Sequence, residues 1–231
     1  MKNFIAGILC LFMLTSAAFA VSDEQIIKEQ SIQNRINEIG TQILNANKIG
    51  GRIIFVYDKD AKDTILKMDT TVTSRQIVMF REYYKFISDD NELAAYLARE
   101  ISNAQRTFDG IGNGWLTAVQ IKAAPKKFEM VADKRAVDYM VKAGYNPLAL
   151  ITFINKAFPQ HYQDLISNKN LTSKRLAHIY EYIYTKYPYF ITNNEYLQNP
   201  YYQNFLLNSV ENRRLLEEKI KSGSKEKLKY E

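Results

Sequence analysis

From Ser74 to Ser222 the chain repeats apolar residues at helical spacing almost without a break, and this pattern constrains its fold most strongly. Apolar residues three and four positions apart share one helix face, so each stretch predicts an amphipathic helix that packs on its neighbours. A similar pattern over residues 23–47 predicts one more helix near the N-terminus. The remaining predicted helices begin near Ser74, at Asp89–Glu92 and at Asn146-Pro147, or cover residues 128–141, 172–186 and 200–221. The sequence is therefore predicted to be mainly helical.

One short region between the first two predicted helices has a different pattern. Residues 52–57 are rich in β-branched and aromatic side chains, which is typical of a strand. Residues 64–73 predict one or two more short strands, joined to the first by a hairpin through the polar residues 58–63. The glycine-rich stretch 109–114 predicts a loop. The predicted fold class is α+β, mainly α, with a small sheet in a single domain over residues 21–221.

The N-terminus has the features of an export signal. Lys2 precedes an apolar stretch, and Ala18-Phe19-Ala20 fits a cleavage site, so residues 1–20 predict a signal peptide. A membrane anchor is the alternative, but spanning a bilayer takes about 20 apolar residues, more than this stretch supplies. A lipoprotein signal needs a small residue before Cys10, where Leu9 stands. We expect a periplasmic or secreted protein with no transmembrane segment in the mature chain.

The composition excludes several classes of function. With Cys10 as the only cysteine, and His161 and His178 as the only histidines, the chain has neither a disulfide scaffold nor a cysteine-based zinc module. The net charge of +6 is not concentrated in a basic block, so no nucleic-acid partner is expected. Residues 222–231 are charged and predict a flexible tail.

Tyrosines are concentrated between residues 180 and 202. Tyrosine at helical spacing is commonly a packing residue with its hydroxyl at the surface. The alternative is a surface that binds a partner, since tyrosine is enriched at interfaces.

The segment Asn91–Asn103 contains the sequence motif that is most informative about function. Its sequence, N-E-L-A-A-Y-L-A-R-E-I-S-N, resembles the active-site helix of the HtpX-type zinc metallopeptidases, which include BepA, LoiP and the CAAX prenyl protease. Residues 129–133 and 143–147 resemble the E-x-x-A-D helix of that family and its A-G-Y-D-P ending, and residues 171–176 resemble its T-H-P-x-x-x-x-R-I segment more weakly. The resemblance runs from about residue 25 to 185 and implies a zincin-like fold.

In that family the helix carries H-E-x-x-H. Two imidazoles at i and i+4 bind Zn²⁺ from one helix face, and the intervening glutamate takes a proton from the metal-bound water. Residue by residue, Arg99 and Asn103 stand at the two histidine positions, and Glu100 matches the general base. The resemblance thus implies an active-site helix that lacks both histidine ligands.

Three further family positions follow the active-site helix. Glu129 matches the third metal ligand, and Asp133 and Arg175 match other motif positions. Lys169 stands where the family has the histidine of its T-H-P segment. The stretch between Glu100 and Glu129 is also shorter than is usual in the family, which implies a changed cleft.

These replacements predict that no metal cofactor is bound, although the family uses zinc. A guanidinium has no lone pair for a metal, and the amide oxygen of Asn103 is a poor zinc ligand. We expect the Arg99 guanidinium to take the metal's place and pair with Glu129, because an unpaired buried carboxylate is costly. Without a metal, Glu100 is expected to be an ordinary paired helix carboxylate.

The function that follows is that of an exported pseudoprotease that binds a protein or peptide, by analogy with family members in envelope protein quality control. One alternative is an active zinc metalloendopeptidase that uses Glu129 with His161 or His178, and Glu100 as general base. Another is a purely structural component of a complex. The sequence leaves the oligomeric state open.

Overall fold

The computed structural model describes residues 23–59, 76–108, 125–157 and 171–230. In these ranges the strands are β1 (Ile54–Asp58) and β2 (Gln76–Phe80). The helices are α1 (Asp23–Ala46), α2 (Arg81–Tyr84), α3 (Asp90–Phe108), α4 (Pro125–Lys142), α5 (Ala149–Ala157), α6 (Leu171–Lys186), α7 (Pro188–Thr192), α8 (Pro200–Asn208) and α9 (Val210–Ser222). The predicted class, α+β and mainly α with a small sheet, is confirmed for this part of the chain.

Several predictions lie outside the described residues. They are the signal peptide over residues 1–20, the strands over residues 64–73, the loop over residues 109–114, His161 and Lys169. No helix in the described ranges is long and apolar enough to cross a bilayer.

The sheet corrects one prediction about the chain near Ser74. β1 and β2 pair in parallel, with Ile54 opposite Gln76 and Asp58 opposite Phe80. The prediction that a helix runs through residues 76–80 is therefore wrong. The apolar residues read there as a helical stripe belong to a strand, whose backbone groups pair with β1, and only the single turn of α2 follows it.

The first helix packs closely on β1. A Cβ atom on Gly40 of α1 would lie 2.5 Å from ring carbons of Phe55, so glycine allows this approach. The Gln33 side chain donates to the Phe55 carbonyl at 3.0 Å and accepts from the Tyr57 amide at 2.7 Å. These bonds satisfy backbone groups of β1 that face α1 and not β2.

Helix α3 lies at the centre of the core. Its residues Leu93, Leu97 and Ile101 are fully buried, and it packs against α1, α4, α5 and β2. Asp89 caps its start by accepting a hydrogen bond of 2.8 Å from the Glu92 amide, as the sequence predicts. α4 packs in turn on α6, and just past its last residue, Lys142, Gly144 has a φ of +83° that suits glycine. This arrangement brings the motif-bearing helices α3, α4 and α6 side by side.

The C-terminal tyrosines serve mostly as packing residues. Tyr180, Tyr196 and Tyr202 are buried, which confirms the packing interpretation for them, whereas Tyr189 and Tyr201 are exposed. The stretch predicted as one helix over residues 200–221 is divided at residue 209 into α8 and α9. The predicted flexibility of residues 222–231 stays a prediction.

Candidate functional site

The candidate site lies where α3, α4 and α6 meet. Arg99 comes from α3, Glu129 and Asp133 from α4, and Arg175 from α6. Because Glu129 and Asp133 are four residues apart, both carboxylates lie on the face of α4 that packs against α3. We call these four side chains the ion cluster.

Arg99 binds both of the carboxylates that α4 contributes to the ion cluster. Its Nε donates to Asp133 Oδ1 at 2.9 Å, and its Nη2 donates to Glu129 Oε2. The Arg99 side chain is 5% exposed and that of Asp133 2%, whereas Glu129, at 30%, reaches the solvent-accessible edge of the site. The predicted pairing of Arg99 with Glu129 is therefore present in the structure.

Arg175 holds the same carboxylates from the other side. Its Nε and Nη2 donate to the two oxygens of Asp133 at 2.8 and 2.9 Å, a bidentate arrangement with good geometry. Nη2 also lies 3.1 Å from Glu129 Oε2. Glu129 and Asp133 are thus each shared by two guanidinium groups, and the charges of the four side chains balance.

The electrostatics of the cluster favour the charged form of Arg99. Burial opposes that charge, but the Glu129 and Asp133 carboxylates outweigh it and raise the pKa of Arg99 above its usual value. An arginine is always protonated at ordinary pH, so this position carries a permanent positive charge.

The other two positions of the family motif lie beside the ion cluster. Glu100 is 26% exposed at its side chain, and its Oε1 lies 4.0 Å from Arg99 Nη1. Asn103 lies one turn beyond Arg99 on α3 and is partly buried. The structure therefore brings all six predicted positions into the same part of the molecule, although only four of them form the close ion cluster.

The residues present do not fit the zinc ion that the family resemblance implies. A zinc ion bound by Glu129 would lie beside two guanidinium groups, and their positive charges oppose a cation there. No group of three histidine, cysteine, aspartate or glutamate side chains among the described residues is placed to hold a metal ion. We therefore assign no chemical step to a metal at this site.

His178 lies on a different part of α6. Its Nδ1 is 3.6 Å from Glu181, and its ring packs edge-on against Tyr230 with the centroids 4.8 Å apart. Among the described residues, His178 therefore contacts Glu181 on its own helix and Tyr230 near the C-terminus, and not the ion cluster. His161, the other candidate ligand, lies outside the described residues.

A second buried ion pair was not anticipated from the sequence. Lys156 on α5 donates to the two carboxylate oxygens of Glu92 on α3 at 2.6 and 2.7 Å. The Glu92 carboxylate also accepts from Thr152 Oγ1 and from the Ser88 amide, both at 2.8 Å. The acidic start of α3 was a sequence signal for Glu92, but no local pattern pointed to Lys156, which is 64 positions away.

Comparison of the chain with protein-family models, with curated proteins and with solved structures finds no match. The resemblance to the HtpX-type metallopeptidases therefore depends on the motif residues alone.

Proposed function

We propose that this chain is an exported pseudoprotease related to the HtpX-type metallopeptidases, with a zincin-like fold, and that it binds a protein or peptide in the cell envelope. The motif residues of α3, α4 and α6 support the relationship. Export is supported by residues 1–20 of the sequence, which have the organisation of a signal peptide.

The main support for the proposed loss of catalysis is the position of Arg99. In the family, the first residue of the motif donates a nitrogen lone pair to zinc. Here the corresponding guanidinium binds Glu129 and Asp133, the carboxylates that face it from α4. A metal ion would have to displace this buried cation and would remain close to Arg175.

The proposed loss of the metal also removes the role of Glu100. In a zinc peptidase this glutamate removes a proton from water whose pKa the metal lowers to about 7. Without the metal, a carboxylate has no comparably acidic water to act on. Glu100 then serves as a charged group beside Arg99 at the edge of the ion cluster.

A binding role is the function best supported once hydrolysis is lost. The ion cluster keeps α3, α4 and α6 together, and we infer that the former substrate cleft lies beside it. Such a cleft can still hold an extended peptide without cutting it. Protein quality control in the envelope is the setting in which related proteins act, so unfolded proteins are the class of ligand to test first.

The first experiment is metal analysis of the purified full-length protein after incubation with zinc, combined with a casein-cleavage assay. We expect neither stoichiometric zinc nor cleavage. Stoichiometric zinc that is lost in a Glu129→Ala variant would overturn the proposal in favour of the active metalloendopeptidase.

The second experiment measures binding of a permanently unfolded protein, reduced and carboxymethylated α-lactalbumin, by fluorescence anisotropy. We expect Glu100→Lys, at the edge of the ion cluster, to weaken binding, and Glu38→Lys, on the exposed surface of α1, to leave it unchanged. Equal effects of the two substitutions would contradict binding at the cleft and would favour a purely structural role.

A further inference from the structure

A groove lies between α4, α6 and α9, and none of the four ion-cluster residues lines it. It is a cavity of about 380 Å³, bounded by α4, α6, α9 and residues 224–230, which we call the C-terminal segment. Its lining includes Met130, Lys134, His178, Glu181, Lys219 and Leu228. The lining is therefore partly apolar, and its lysines outnumber its single carboxylate.

The C-terminal segment is held in this groove by few contacts. Tyr230 is 5% exposed and packs on His178, and Leu228 is partly buried against the core. The side chains from Ser224 to Lys227 are exposed. After the hydrogen bond from the Ser224 amide to the Lys219 carbonyl, no backbone–backbone hydrogen bond joins this segment to the rest of the described chain. Two side-chain anchors must therefore offset the conformational entropy lost by the whole segment.

The segment is also a poor electrostatic match for the groove. The groove presents Lys134 from α4 and Lys219 from α9, and its single carboxylate, Glu181, is already paired with Lys219 at 2.9 Å. The segment adds lysines at positions 225, 227 and 229 against a single carboxylate, Glu226, so it brings a net positive charge to a groove that already holds Lys134.

Among the described residues, Lys134 on the α4 side of the cavity forms no ion pair with a carboxylate, and its Nζ lies 5.5 Å from the centre of the Tyr182 ring. Lys227, which belongs to the C-terminal segment itself, likewise forms no ion pair with a carboxylate of the described residues. Like charges in one groove disfavour the bound state, so a segment with acidic residues at the lysine positions would fit the groove better.

We propose that this groove is a docking site for an acidic segment of a partner protein, with an aliphatic and an aromatic anchor two residues apart. The C-terminal segment shows how such anchors fit, since Leu228 and Tyr230 have this spacing. The partner segment displaces the C-terminal segment and pairs its carboxylates with Lys134. This inference rests on the proposed protein-binding function and names the chemical class of the partner.

The test uses the full-length protein and three fluorescein-labelled heptapeptides. One has the sequence of residues 224–230, the second has its three lysines replaced by glutamate, and the third is the acidic peptide with alanine at both anchors. We expect the acidic peptide to bind about tenfold more tightly than the native sequence, with an affinity that falls as salt is added. The third peptide should lose most of the affinity.

Substitutions in the full-length protein test whether the peptide binds in this groove or at another site. Tyr230→Ala releases the intramolecular competitor, whose effective concentration is about millimolar, and should tighten binding of the acidic peptide about tenfold. Lys134→Ala should weaken binding severalfold, whereas Lys142→Ala, an exposed lysine on the same helix, should leave it unchanged.

Three results would overturn the inference. They are equal affinity for the native and acidic peptides, no binding to a Tyr230→Ala protein with wild-type circular dichroism, and equal effects of Lys134→Ala and Lys142→Ala. Stoichiometric zinc would overturn the pseudoprotease proposal and leave these peptide results unaffected, so the two failures are distinguishable.

Discussion

Arg99 on α3 donates from Nε to Asp133 Oδ1 on α4 at 2.9 Å, and the two side chains are only 5% and 2% exposed. The position that matches a metal-binding imidazole in the HtpX-type family thus carries a permanent cation whose counter-charges belong to the neighbouring helix. Arg175 contacts the same aspartate from α6. These contacts connect α3, α4 and α6 in the way that a bound metal connects the elements supplying its ligands.

Removing one guanidinium should destabilise the protein strongly. Breaking a buried ion pair leaves an uncompensated charge and costs about 3–5 kcal/mol. We expect a loss of this size for Arg175→Ala, which leaves Asp133 without its bidentate partner, and for Arg99→Ala. Urea unfolding measures both.

The control is Arg214→Ala on α9, where the arginine is 51% exposed and pairs with Glu211 and Glu218. Exposed pairs contribute about 0–1 kcal/mol. An Arg99→Ala loss no larger than that of Arg214→Ala would show that the ion cluster does not stabilise the fold.

Restoring the two histidines should create a zinc site if α3 has the geometry that the resemblance implies. In an Arg99→His/Asn103→His variant, two imidazoles at i and i+4 lie on the helix face directed at Glu129. Removing Arg99 takes away one of the two guanidinium groups that oppose a cation there, and Arg175 keeps its bidentate contact with Asp133. Because Arg175 also lies 3.1 Å from Glu129 Oε2, Oε1 of Glu129 is the oxygen expected to bind the metal. We expect about one zinc per chain, measured by elemental analysis after dialysis.

Each single substitution serves as a control and should not retain zinc, because zinc needs both imidazoles with Glu129. Adding Glu129→Ala to the double variant should abolish retention. A folded double variant that holds no zinc would contradict the proposed kinship of α3 with the zincin helix.

Local sequence information predicted the helices and one contact of the ion cluster, but not the cluster itself. The pairing of Arg99 with Glu129 followed from chemistry, since a buried carboxylate needs a cation. The bidentate contact of Arg175 with Asp133 depends on how α6 packs against α4, and helical periodicity does not specify that packing. Likewise, residues 76–80 form a strand because β1 is available to pair with them.

The unanticipated pair of Lys156 and Glu92 leads to a prediction about core stability. Glu92 is fully buried, so Lys156→Met leaves its charge unpaired and should cost about 3–5 kcal/mol in urea unfolding. Combining it with Glu92→Leu should recover most of the loss, because no charge then remains buried.

Lys186→Met provides the matched comparison, since Lys186 pairs with Asp138 but is 46% exposed. It should change the free energy of unfolding by less than about 1 kcal/mol. If the Lys156→Met/Glu92→Leu protein is as unstable as Lys156→Met alone, the uncompensated charge of Glu92 is not the cause of the lost stability.

Glu181 should make stability depend on pH in the acidic range. The His178 side chain, followed by Lys219, lowers the pKa of Glu181 to about 2, against the opposing effect of burial. A carboxyl whose pKa is lowered on folding stabilises the native state above its unfolded pKa of 4.5, and this contribution is lost as the pH falls towards 2. After allowance for partial solvent screening, it is on the order of 1–2 kcal/mol at pH 7.

The measurement is the difference in the free energy of unfolding between the wild type and Glu181→Gln at pH 7, 4 and 2.5. The amide cannot ionise, so the variant lacks this contribution, and the difference should be smaller at pH 2.5 than at pH 4 and pH 7. Other carboxyl groups titrate alike in both proteins and cancel. Glu211→Gln, at an exposed carboxyl paired with Arg214, should show a smaller change because solvent screens that pair. A difference for Glu181→Gln that is equal at pH 7 and pH 2.5 would show that its carboxylate is not stabilised by His178 and Lys219, since only an ionised group loses those contacts on protonation.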